Sequence, residues 1–211
     1  AGIDKELWGA TWLDDGIGAL VQKLEKLDLL DNTLIVFFAD HGMAKASKGT
    51  CYEGGLIAPT FAYWKGTVKP MTSDAMIQNT DFAPTMLELA GASAPAFMQG
   101  RSFVRALSGR PIPGWRSATY YRYWMHRTHH NVYAHYGVRT LRYKLIYYYG
   151  LIRMGREPDQ CWELYDLQTD PREQTNLCDN PEYGAIVANL KRHLRRLRTE
   201  YNDTADPLSA S

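Results

Sequence analysis

The chain has 211 residues, 45% of them hydrophobic and 22% charged, with a formal net charge of +1. That length can bury a sizeable core in one or two domains, and the composition is ordinary for a folded globular protein. The near-zero balance gives no whole-chain case for nucleic acid or an anionic membrane as partner, and no apolar run is long enough to span a bilayer.

In chain order, Trp8, Trp12, Leu13, Ile17, Leu20, Val21, Leu24 and Leu27 fall at helical spacing, predicting an amphipathic helix from about Lys5 to Leu29. Asp14 and Asp15 are adjacent acids, and adjacent residues do not share a helix face, so they read as structural. Thr33 to Phe38 is an unbroken apolar run suited to a strand buried on both faces of a parallel sheet. At its carboxyl end come Asp40, His41 and Gly42, where ligands sit in an open α/β sheet. An acid and an imidazole placed there can share one cation. Lys48-Gly49-Thr50 and Tyr52-Glu53-Gly54-Gly55 follow, a mobile cation among flexible backbone.

Leu56 to Trp64 reads as a second buried strand and Ser73 to Gln78 as a short one. Asn79-Thr80-Asp81 leads into a helix from Phe82 to Ala90, with Asp81 as its N-cap and Gly91 as its stop. A short helix ends near Gly109, and Pro111 to Gly114 reads as a linker between units 1–110 and 111–211. Beyond it, Thr119–Trp124, Gly137–Thr140, Tyr143–Tyr148 and Glu163–Leu167 read as strands of a small antiparallel sheet. Glu182 to Tyr201 is a closing amphipathic helix whose basic run, Lys191 to Arg198, reads as a solvated face. The tail after Asn202 is expected to fray. His126, His129, His130 and His135 cluster with Arg122, Arg127 and Arg139 nearby. Neutral imidazole binds metal and charged imidazole holds anions, but H-x-x-H-H without cysteine partners is no zinc frame. The alternative is a polar loop with histidines satisfied in packing. Cys51, Cys161 and Cys178 form no CxxC pair, and a Cys161–Cys178 bridge stays open.

The segment D-H-G, then K-G-T-C-Y-E-G-G, then Ile57-Ala58-Pro59 closely resembles the metal-and-sulfate segment of the type I sulfatases, in the alkaline phosphatase superfamily. Asn79 to Gly91, Gly100-Arg101-Ser102-Phe103, G-V-R-T-x-R-Y-K-L-I and E-L-Y-D-L-x-x-D-P-x-E-x-x-N-L resemble the same family, so the likeness covers nearly all of Lys5 to Tyr201. The resemblance implies part of an alkaline-phosphatase-like parallel sheet with flanking helices, plus a small C-terminal antiparallel sheet packed with a helix. It implies Asp40 and His41 as ligands of one divalent cation, usually calcium, and Lys48 as a grip on a sulfate oxygen. It implies a sulfated carbohydrate substrate, with His126, His129, His130, His135 and Arg139 as candidate sugar contacts, the last two foremost. A secretory route is expected by the same resemblance.

The family nucleophile is a Cys or Ser in C/S-x-P-x-R, converted to formylglycine, and no such motif occurs in the chain; nor does the N-terminal acidic metal pair. The expectation is therefore a C-terminal portion, inactive alone, whose remaining half supplies both and covers apolar surface. The competing readings are a phosphodiesterase or phosphonate hydrolase relative with the same metal logic, and a non-catalytic sugar-binding module.

Overall fold

The structure, a computed structural model, describes residues 5–42, 47–128 and 130–205, without the side chains of the first two. Helix α1 (Lys5–Lys26) forms at the expected place. Its apolar residues find little to pack against: Trp8 is 64% and Trp12 83% exposed. Strand β1 (Ile35–Phe38) follows, then a one-turn helix α2 (Glu53–Leu56) and strand β2 (Thr60–Tyr63). The two strands pair antiparallel, Ile35 opposite Tyr63 and Phe38 opposite Thr60. Among the described residues β1 has no parallel neighbour. The described part of the connection holds one helical turn, α2. Phe37 stacks on Phe61 at 4.8 Å between ring centroids. The second strand is shorter than expected because Glu53–Leu56 turns as helix, and residues 73–78 carry no strand.

Helix α3 (Phe82–Leu89) starts beside Asp81, whose role differs from the expected cap. The Asp81 carboxylate is fully buried and makes no side-chain cap bond to α3. It instead accepts from the backbone N–H of Gln78 at 2.7 Å and of Arg101 at 2.8 Å. The Arg116 guanidinium grips it with two nitrogens, Nη2 donating to Oδ1 at 2.7 Å. Such a fork matches a carboxylate's two oxygens. It ties the start of α3 to the first residues of the second unit, while helix α4 (Val104–Leu107) fills the interval.

The second unit is a four-stranded antiparallel sheet in the order β3 (Ala118–Tyr123), β4 (His135–Thr140), β5 (Tyr143–Tyr147), β6 (Trp162–Asp166). A one-turn helix, α5 (Tyr149–Ile152), follows β5. Alternation divides the strand side chains between two faces. One face (Ala118, Tyr136, Val138, Leu145, Leu164) packs on Val187, Leu190, Leu194 and Leu197 of α6 (Gly184–Glu200). The other face packs Ile146, Tyr148 and Tyr165 on Cys51, with Tyr52 and Leu56 beside them. The sheet is thus covered on its second side by the loop that precedes α2. The tail past α6 does not fray as expected through residue 205: Asp203 accepts from Tyr120 and Arg122. Cys51, Cys161 and Cys178 are free thiols.

Candidate functional site

Asp40 and His41 follow the end of β1. The Asp40 side chain is 82% exposed and that of His41 34% exposed. The His41 ring places Nδ1 2.7 Å from the carbonyl of Gly42. A carbonyl only accepts, so Nδ1 carries a proton and Nε2 is the nitrogen left for a ligand. Nε2 lies 3.6 Å from Asp40 Oδ1. An oriented imidazole beside an open carboxylate is a fitting pair of cation donors, since metal-binding histidines are held through their other nitrogen. Among the described residues, no three His, Cys, Asp or Glu side chains gather as a complete site.

Gly55 brings Lys48 into the same neighbourhood. Its carbonyl accepts from Gly42 N at 2.9 Å, and Ser47 O lies 2.2 Å from where a side chain on Gly55 would begin. Only glycine admits that approach. His41 adjoins Gly42 and Lys48 adjoins Ser47, so the two ends of the intervening loop meet on one residue. Lys48 is exposed and makes no ion pair or hydrogen bond with another described residue.

Below the loop lies a charged cluster. Arg139 donates to both Glu53 oxygens, Nε at 3.2 Å and Nη2 at 2.9 Å. Lys144, fully buried on β5, places Nζ 2.7 Å from Glu53 Oε1 and 2.6 Å from Glu173 Oε1. The other Glu173 oxygen accepts from Glu53 N at 2.6 Å. Glu53, Lys144 and Glu173 lie within the motifs Y-E-G-G, R-Y-K-L-I and D-P-x-E. The sequence reading gave them no role, because nothing local says that they meet.

The other expected sugar contacts are placed as follows. His135 has no open surface: it is fully buried among Tyr121, Tyr123 and Tyr148, with Nδ1 2.7 Å from the carbonyl of Tyr133. The expectation that it touches substrate gives way to a core role, because its position on β4 points it to the face the loop covers. Burial pushes its imidazole down to about 4. Arg139 keeps 22% of its side chain exposed, with its fork engaged by Glu53. His126 is half-buried, its Nδ1 accepting from Ala134 N at 3.5 Å and its ring tilted against Tyr133. Burial, with the charges of Arg153 and Arg127, pushes it below the ordinary imidazole value. His130 is half-buried in the turn that Asn131 N closes on Thr128 O. His129 lies outside the described residues.

Residues 40–200 match the family model described as N-sulphoglucosamine sulphohydrolase, C-terminal. An N-acetylglucosamine-6-O-sulfatase of Bacteroides thetaiotaomicron is 36% identical over 203 residues, covering 92% of this chain and 35% of that protein. An ulvan-active sulfatase of Formosa agariphila is 34% identical over 196 residues, covering 81% of this chain and 38% of the relative. The solved structure of BT4656 in complex with its substrate D-glucosamine-2-N,6-O-disulfate superposes with a TM-score of 0.83 at 35% identity, covering 94% of this chain and 40% of that one. The chain therefore spans little more than a third of the length of these relatives. With the family segment running from the paired donors after β1 to the end of α6, the chain belongs to the sulfatases, as a C-terminal portion of the N-sulphoglucosamine sulphohydrolase type.

Proposed function

We propose that this chain forms the sulfate-gripping part of a hydrolase that releases sulfate from a sulfated sugar, using Lys48 as the sulfate contact and Asp40 and His41 as ligands of a divalent cation, calcium by family expectation. The observation that carries this reading is that Gly42 and Ser47 both meet Gly55, which brings the backbone beside an exposed lysine close to the backbone beside a carboxylate and an oriented imidazole. When bound, the cation supplies Lewis-acid stabilisation of a sulfate oxygen. Negative charge grows on the bridging oxygen as the S–O bond breaks. A positive side chain held at the sulfate group stabilises that charge more than the ground state. Asp40 contributes an open carboxylate, and His41 presents Nε2 because Gly42 O holds its other nitrogen. The formylglycine nucleophile and the remaining metal acids are assigned to sequence outside these 211 residues.

The substrate class is a sulfated amino sugar or a glycan containing one, as the named relatives suggest. A secretory route to an exported compartment goes with that substrate. His126, His129, His130 and Arg139 are the candidate sugar contacts. The test uses the full-length protein and a panel of O-sulfated glucosamines, with a phosphonate monoester as control. Lys48→Ala and Asp40→Ala are each expected to lower sulfate release by about 10²-fold or more, the scale of one transition-state electrostatic contact. The chain alone is expected to release no sulfate above an Asp40→Ala control. Unchanged turnover in both full-length variants, or preferential cleavage of the phosphonate, would overturn the assignment.

A further inference from the structure

We infer that Glu173 and Lys144 are positioning residues that act through Lys48, clamping the Lys48-bearing loop onto the second sheet; this rests on the sulfate-gripping role of Lys48. Alternate loop residues meet the sheet in succession. Gly49 lies against the Tyr123 ring of β3, Cys51 places its sulfur against Gly137 of β4, and Glu53 reaches Arg139 of β4 and Lys144 of β5. A run of turn and bend is therefore laid across the sheet, with Lys48 in the turn that Thr50 N closes on Ser47 O.

The last contact is the most specific. Two carboxylates and two cations meet there, so formal charge balances. The Glu173 side chain is 4% exposed and that of Lys144 is fully buried. Glu173 does two things at once: one oxygen accepts from Lys144 Nζ and the other from the backbone N–H of Glu53. A backbone N–H held by a buried carboxylate fixes the chain itself, not only a side chain. Glu173 adopts φ +55°, a left-handed conformation that a non-glycine residue holds only where its surroundings demand it. A misplacement of about 1 Å in a transition-state contact costs on the order of 10²-fold in rate, so a clamp on this loop has a kinetic consequence.

The mechanism of sulfate hydrolysis does not require these residues to touch substrate. The test is a double-mutant cycle in the full-length protein. The variants are Glu173→Gln, Lys48→Ala and both together, assayed well below each melting temperature. Glu173→Gln is expected to lower kcat/KM about tenfold or more with Lys48 present, and by less than about twofold in the Lys48→Ala background, because residues acting as a unit are non-additive. An equal loss in both backgrounds, or no loss with Lys48 present, overturns the clamp. Lys48→Ala with unchanged kcat/KM overturns the role of Lys48, and the clamp with it. If Glu173→Gln does not fold, Lys144→Met takes its place in the same cycle.

Discussion

His135 gives a pH-dependent stability that can be worked out from its surroundings. Its ring is enclosed by three tyrosines, Nδ1 faces a carbonyl, and Nε2 has no partner among the described residues. Protonation would place a charge in that aromatic box. Burial therefore holds its folded-state value at about 4, against 6.5 for an ordinary imidazole. Above pH 6.5 the ring is neutral in both folded and unfolded chains. Between 6.5 and 4 the unfolded chain takes up the proton and the folded one does not, so stability is lost as pH falls through that window. The full difference is worth about 3 kcal/mol, with about 2.5 kcal/mol already lost at pH 4.5. Urea unfolding of the wild type and of His135→Gln at pH 7.5 and 4.5 measures it. Carboxylates titrate in both proteins and cancel in the comparison. The wild type should lose about 2.5 kcal/mol more than the variant between the two pH values. Parallel pH dependences, or an NMR titration of His135 centred near 6.5, would refute the buried-neutral assignment and restore it as a surface contact.

Two further outcomes follow from burial. Asp81→Ala leaves the buried Arg116 guanidinium without its carboxylate, with only the Met76 carbonyl still accepting from it, and should cost about 3–5 kcal/mol, while the double variant Asp81→Ala/Arg116→Met should recover a measurable part of it by denaturant melts; additive losses would mean the pair is not coupled. Cys51 is fully buried, and burial pushes its thiol up to about 12, so a disulfide reagent at pH 8 should leave it unmodified in the native protein while half-buried Cys178 reacts. Native-state labelling of Cys51, read by mass spectrometry, would show that the loop lifts from the sheet.

The elements that the sequence foretold best are those with a strong local signal. The β3 to β6 strands and α6 carry clear alternation or helical spacing, and they appear within a few residues of their expected bounds. The sulfatase motifs were legible for the same reason: D-H-G and K-G-T-C-Y-E-G-G are contiguous, and their order is a property of the chain. The direction of β2 was not legible. A strand's composition says that it is apolar, not which neighbour it hydrogen-bonds, and the 39–59 connection is long enough for either direction. His135 was misjudged in a related way, and the engagement of Arg139 by Glu53 was not foreseen. Polar residues at a strand start look available, but strand parity sends both to the face that the 48–56 loop covers.

The sequence alone was enough for the family and for the order of most elements, and it offered Asp40, His41 and Lys48 as candidates. These rest on contiguous residues and on periodicities of two and 3.6. The tertiary structure decided what supports them. Glu53 meets Arg139 across 86 residues and Glu173 across 120, and Asp81 meets Arg116 across 35. Pairing at such separations is set by which faces the sheet and its covering loop bring together. No local pattern encodes it, because a buried charge's partner is chosen by geometry and desolvation, not by distance along the chain.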